Sequence, residues 1–285
     1  MRLSIGQSTV LSFEAPQRSL LLSYRLRPAD YKAQTAVDWT VTVPDAATGA
    51  AFRDGAGDKT ATARLEGPIE TVEISVTGTV ETADTTGVLS GLRERIPPAA
   101  YLRTTRATRP DKGLLDLARA GVADRNAANL LDRAHGLAAA VGEAVSHGED
   151  ETEDARPATA TETLGRGEGS CRAQAHTLIA LAIAQGIAAR FVYGYALTDD
   201  PGDGRDALVT DGGAPHAWAE LHVGKLGWVG FDAVNACCPD DRYIRLCSGF
   251  DAQDAEPIRA FASGDASDSA TEIAVAVAAA GQVQQ

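Results

Sequence analysis

Cysteine is scarce: the 285 residues hold four, at positions 171, 237, 238 and 247. That is too few to frame a small disulfide-stapled fold, and their spacing is unlike a zinc ligand set. Basic residues are in deficit, with 26 Lys and Arg against 39 Asp and Glu and a formal net charge of -13. A nucleic-acid binder is expected to carry a basic footprint, so no nucleic-acid partner is expected. No run approaches the roughly 18 apolar residues of a membrane span, so no membrane partner is expected. The opening Met1-Arg-Leu-Ser-Ile-Gly-Gln7 lacks the apolar core of a signal peptide. The expected location is the cytoplasm, with the cysteines as reduced thiols.

What is present is ordinary for a globular protein: 44% hydrophobic and 23% charged residues. The length suits about two domains. Residues 1–90 alternate with period two. Leu20, Leu22, Tyr24 and Leu26 form one such series; Val37, Trp39, Val41 and Val43 a second; Val72, Ile74 and Val76 a third. This is the mark of half-buried strands, and Pro44-Asp45 and Asp54-Gly-Ala-Gly57 supply turns. The stretch predicts an antiparallel β domain of sandwich type.

A linker around Pro97-Pro98 spans 91–110, and a second domain is expected over 111–285. There the period changes. Ala127, Leu130, Leu131, Ala134, Leu137, Ala138, Val141 and Val145 predict a helix capped by Asp124 and stopped at His147-Gly148. The acidic run 149–154 reads as a solvated loop or as a flap beside the next segment. Strands are expected over 190–195, 216–223, 228–234 and 272–277, with a polar loop over about 198–214.

Cys171 is the residue on which function turns. It follows Gly165-Arg-Gly-Glu-Gly-Ser170 and opens an apolar helix that runs to Gln185, with Gly186 as its C′ residue. Ser170 is a good N-cap. A thiol in the first turn faces unpaired N–H groups and the positive end of the macrodipole, which favour the thiolate. Cysteine in an apolar helix also serves as a small core residue, and that reading stands beside the nucleophilic one.

Five histidines compete for the role of base. His135 and His147 have no evident acidic partner. His176 points roughly 140° away from Cys171 on the same helix, which suits a buried, hydrogen-bonded histidine. His216 and His222 lie on one strand, six residues and roughly 20 Å apart, so only one can sit at the thiol. If the hairpin through Gly224–Gly227 pairs residues in an even register, Asp232 shares a face with His216. An odd register separates them. The expected triad is therefore Cys171, His216 and Asp232, with Cys171 attacking an acyl carbon, His216 moving the proton and Asp232 orienting the imidazole. Gly169, Ser170 and Trp218 are candidate substrate-binding residues; Trp218 and Trp228 could wall the site, but core or hairpin packing is the favoured reading of both.

Four motifs, in order, resemble the transglutaminase-like superfamily. Gly169-Ser-Cys-Arg-Ala-Gln-Ala-His176 is similar to the pattern G-V-C-[QR]-D-F-A-H around the nucleophile. Gly186-Ile-Ala-Ala-Arg-Phe-Val-Tyr-Gly-Tyr195 resembles G-I-P-A-R-Y-V-x-G-Y, His216-Ala-Trp-Ala-Glu220 matches H-A-W-x-E, and Gly227-Trp-Val-Gly-Phe-Asp-Ala-Val-Asn235 resembles G-W-x-G-x-D-P-T-N. Tyr243-Ile-Arg245 and Gly249-Phe-Asp251 continue the likeness, which covers most of 160–260 and, more weakly, the N-terminal strands. The resemblance implies an α+β, papain-like core after a β-sandwich-like domain, the same triad, and thioester chemistry on amides. It implies a cysteine protease, amidase or acyltransferase of the bacterial branch, acting on a peptide or protein amide, with no cofactor and no metal. Ala173-Gln174 stand where the family has Asp-Phe, and Ala233-Val234 where it has Pro-Thr. No triad member is lost. A catalytically silent binding or assembly module is the alternative.

Overall fold

The computed structural model describes residues 1–125, 129–148, 158–198, 207–210, 215–263 and 269–279. The acidic run 149–154, most of the polar 198–214 loop and the start of the helix expected from Ala127 lie outside the described residues.

Four strands come first: β1 (Arg2–Arg27), β2 (Gln34–Thr42), β3 (Ala47–Arg53) and β4 (Lys59–Thr82). Their alternation buries one face. Leu20, Leu22 and Leu26 are fully buried, as are Ile74 and Val76, while Leu21 is exposed. β1 and β4 pair antiparallel along almost their whole lengths, with irregularities around Gln17. Gly67 is required there, because a Cβ would lie 2.1 Å from the Gln17 carbonyl oxygen. β2 pairs with one end of β4 and β3 with the other. Val37 does not join the inward face with Trp39. An extra residue between the Ala36–Val80 and Asp38–Thr79 pairs turns it out to solvent.

A 3-10 turn at Pro98–Leu102 leads to α1 (Lys112–Val122), capped by Asp111, whose side chain accepts from the Leu114 N–H. α2 (Leu130–Ala144) follows. Its cap is Asn129, which accepts from the Leu131 and Asp132 N–H groups, and not Asp124, which lies just past the end of α1. Next come the two-residue strand β5 (Ser146–His147), α3 (Ala160–Arg166) with a Thr159–Glu162 capping box, and β6 (Glu168–Gly169), which pairs parallel with β5.

α4 (Cys171–Ala184) is the central helix, buried at nearly every position. Ser170 caps it through the Ala173 N–H. Gly186, at φ 71, ends it with the bonds Ile187 N–H to Ala182 O and Gly186 N–H to Ile183 O, a Schellman motif. Burying Leu178, Ile179 and Leu181 completely contributes about 1.5–3 kcal/mol each. α1, α2 and α3 pack against α4. So does a four-stranded antiparallel sheet of β7 (Ala189–Ala196), β8 (His216–His222), β9 (Trp228–Phe231) and β10 (Tyr243–Gly249), in the order β10-β7-β8-β9.

After the short α5 (Ala252–Ala255), the chain returns to the first sheet. β11 (Ile258–Ser263) pairs with the second half of β1, and β12 (Ser269–Ala279) with the first half. The second domain expected over 111–285 thus gives its last two strands to the N-terminal sheet. Among the described residues no helix is long and apolar enough to cross a membrane.

Candidate active site

The candidate residues lie on α4, on β8 and just beyond β9. Tyr193 lies opposite Ala217, and Gly194 opposite His216. Cys171, at the start of α4, is close enough to Tyr193 to affect its ionisation. Burial first, then Glu256 and Cys171, push the Tyr193 hydroxyl well above the ordinary tyrosine range. α4 packs against both β7 and β8. Cys171 is 1% exposed.

The hairpin register is even. Ala219 faces Phe231 and His222 faces Trp228, so Asp232, just beyond β9, falls on the face of His216 and Trp218. Nε2 of His216 lies 2.7 Å from Oδ2 of Asp232, both residues 1% exposed. Asp232 is held by more than the histidine. Oδ2 also accepts from Asn235 Nδ2 at 2.7 Å and the Tyr243 hydroxyl at 2.9 Å. Oδ1 accepts from the Val234 and Asn235 N–H groups at 3.0 and 3.2 Å. Burial works to raise its pKa, but the His216 charge and the donors from His216, Asn235 and Tyr243 outweigh it and hold the carboxyl below its ordinary value.

An ionised carboxylate only accepts, so the proton between the two residues sits on Nε2. Nδ1 of a neutral His216 is then a lone-pair base. It is buried and has no hydrogen-bond partner among the described residues. The imidazole is fixed by packing as well, its centroid 6.3 Å from Trp218 and 6.0 Å from Tyr243. Trp218 is nearly buried and lies edge-on to Tyr243. It reaches across β7 only because residue 194 is glycine; a Cβ there would come within 2.4 Å of the indole.

Gly169 and Ser170 are both buried. Gly169 pairs with His147 in the β5–β6 bridge, and a Cβ on it would press on Ala173 and Thr163 at 2.9 and 3.0 Å. The other histidines are placed elsewhere. His176 bonds through Nδ1 to the Ala158 carbonyl and through Nε2 to the Ala252 N–H. His135 packs edge-on against Phe231, and His222 against Trp228.

Asn235 and Tyr243 were not singled out as site residues from the sequence, although both fall inside the family-like stretches. Asn235 also clamps Val209 on both sides of its peptide. Its Oδ1 accepts from the Val209 N–H at 2.7 Å and its Nδ2 donates to the Val209 carbonyl at 3.0 Å.

Two residues farther along β8 from Trp218 lies Glu220, the centre of a buried ion network. Arg190 donates to it at 2.6 Å and Arg245 at 2.8 Å. Arg245 also meets Asp58, from the turn before β4, at 2.7 Å, and Arg190 meets Glu94 at 2.6 Å. Trp228 donates to Glu94 and lies under the Arg190 guanidinium. This network binds the two sheets together behind the site.

None of the four cysteines is in a disulfide. Among the described residues no group of three or more His, Cys, Asp or Glu is placed to hold a metal ion.

Residues 3–81 match the bacterial transglutaminase-like N-terminal region, and residues 118–233 match the transglutaminase-like superfamily core. Uncharacterized proteins of Mycobacterium tuberculosis and Mycobacterium bovis are 35% identical over 120 residues, 41% of this chain. That match spans 38% of the relatives' length. The solved structure of a putative cysteine protease from Cytophaga hutchinsonii superposes with a TM-score of 0.73 at 20% identity, over 100% of this chain and 92% of that one. At this identity the likeness speaks for the fold.

Proposed function

The chain is a transglutaminase-like superfamily protein with both its N-terminal region and its core, and on that premise we propose that it is a cysteine-dependent hydrolase of peptide or amide bonds. The observation that carries the reading is the state of His216. Its Nε2 is committed to Asp232, which leaves a buried Nδ1 without a hydrogen-bond partner among the described residues, and on this reading the thiol of Cys171, which opens the helix packed on β8, is what that nitrogen serves.

The steps follow from these roles. Nδ1 takes the proton of Cys171, and Asp232 stabilises the imidazolium that results. The thiolate attacks the carbonyl carbon of an amide. The oxyanion forms near the Cys171 N–H, which lies in the first turn of α4, outside the helical ladder. As the C–N bond breaks, the imidazolium gives its proton to the departing amine and a thioester remains. Water, deprotonated by Nδ1, then cleaves the thioester to an acid and restores the thiol. An amine in place of water makes the same centre an acyltransferase. Water needs no dedicated site, and for that reason hydrolysis is the preferred reading. Gly169 and Ser170 would form the approach to the thiol, and Trp218 the wall behind His216.

One observation favours the rival reading, a silent binding module: the thiol is 1% exposed. Alkylation decides between them. Iodoacetamide labelling of Cys171, followed by peptide mass spectrometry at neutral pH, is expected to proceed at least about tenfold faster in the wild type than in His216→Ala, since the thiolate is the reacting form. No labelling, or labelling indifferent to His216, supports the silent module.

A further inference from the structure

The chain of hydrogen bonds at the site continues behind Asp232. The Tyr243 hydroxyl is 2.9 Å from Asp232 Oδ2, and Cys237 Sγ is 3.3 Å from the same hydroxyl. The donor order follows from the groups. The carboxylate accepts, so the tyrosine O–H points at Asp232, and the Cys237 S–H donates to the tyrosine oxygen. Burial pushes the Cys237 thiol up to about 11, so it keeps that proton at neutral pH. The Tyr243 hydroxyl is likewise pushed well above its ordinary value, by burial and then by the Asp232 charge. The ring has little freedom, lying edge-on to Trp218 with centroids 5.6 Å apart.

We propose that Tyr243 is a positioning residue for the His216–Asp232 pair, with Cys237 orienting its hydroxyl. The inference rests on the hydrolase reading and extends it. Three donors converge on Oδ2: Nε2 of His216, Nδ2 of Asn235 and the hydroxyl of Tyr243. The tyrosine bond fixes the carboxylate against rotation and takes up part of its charge. It thereby adds to the His216 and Asn235 interactions that keep Asp232 ionised despite burial.

The surrounding titratable groups are few. His216 comes from β8, Tyr243 from β10, and Cys237 from the bridge that pairs it with Asp232. Asp240 and Arg242 act on Cys237 with opposite signs and are bound to each other at 2.7 Å. Besides Asn235, whose amide does not titrate, Tyr243 is the neutral donor that meets the carboxylate from the side of β10.

The test follows the Asp232 carboxyl carbon by NMR titration of the full chain labelled with carbon-13 aspartate, alongside the pH dependence of Cys171 alkylation. Tyr243→Phe keeps the ring and removes one donor. It is expected to raise the titration midpoint of Asp232 by about one pH unit, and the low-pH limb of alkylation should move with it. Cys237→Ala should move both in the same direction by less, and Cys237→Ser should restore them, because a hydroxyl also donates. A purely structural role would lower amplitude or thermal stability at every pH and leave the midpoint in place. An unmoved Asp232 midpoint in Tyr243→Phe, or a Cys237→Ser variant that behaves like Cys237→Ala, overturns the proposal. The carboxyl titration is repeated in Cys171→Ser, where no thiol chemistry exists. A failure of the hydrolase reading is thereby separated from a failure of this one.

Discussion

His216 and Asp232 meet at 2.7 Å because the β8–β9 register sets Ala219 against Phe231 and carries Asp232 onto the histidine's face. Asp232→Asn keeps the shape and removes the charge that fixes the proton on Nε2. On the proposed mechanism, amide hydrolysis falls by about 10²–10⁴-fold. Stability has a defined sign. The folded pKa of Asp232 is depressed, so its contribution is present above the unfolded value of about 3.9 and is lost as pH falls through the lower folded value. Urea unfolding at pH 7 should show the variant less stable than wild type, and the gap should narrow steadily as pH falls below about 3.9. A gap that keeps its full neutral-pH size as the pH is lowered through the acid range would mean that the ionised pair is not what stabilises this corner.

Asn235 joins the same carboxylate to Val209. Leu208, beside it, is buried with Val192, Ala196, Trp218 and Tyr243. Asn235→Ala removes both hydrogen bonds to the Val209 backbone and one donor to Asp232. The 207–210 segment is expected to open by local unfolding and become sensitive to limited proteolysis, with Cys171 reactivity falling by roughly tenfold. Unchanged cleavage kinetics around Val209 would show that the apolar Leu208 contact alone holds the segment.

Much of this geometry is written in local sequence. Ser170 and Gly186 mark the two ends of α4 by capping chemistry, and the alternation of β8 and β9 leaves only the parity of the turn open. Other features are set by distant parts of the chain. α1 carries no reading of its own in the sequence, since its burial at Leu114 and Ala118 depends on neighbouring helices. Val37 fits the period of its strand but falls at a bulge fixed by β4. The return of β11 and β12 to β1 is a pairing across more than 230 positions, which no local pattern encodes. The same holds at the site. Tyr243 and Asn235 look like strand and turn residues until the fold sets them on Asp232.

Glu220 accepts from two buried arginines, and its removal leaves both facing a partner that is gone. Burial works to raise its pKa, while Arg245 and Arg190 together pull it below the ordinary value. Glu220→Ala is expected to destabilise the protein by about 3–5 kcal/mol in urea unfolding at neutral pH, as for a broken buried ion pair. The wild-type contribution is lost as pH falls through the depressed folded value. A loss under about 1 kcal/mol would mean that water or a rearranged Glu94 replaces the carboxylate.

β12 lies along β1 from Leu3 to Phe13, so that this half of β1 is paired on both sides, by β12 and by β4. Deleting residues 269–285 leaves a row of unpaired N–H and C=O groups on a strand whose inward face holds Leu3, Ile5 and Leu11. Such an edge recruits another strand. The truncated protein is expected to unfold at lower temperature and to self-associate, as read by light scattering after gel filtration. Because the sheet that bears His216 and the helix that bears Cys171 pair with other elements, alkylation of Cys171 per folded molecule should stay within about twofold of the full chain. A monomer of unchanged melting temperature would show that β12 adds nothing to the first sheet. A large loss of Cys171 reactivity would show that the edge strand supports the site from a distance.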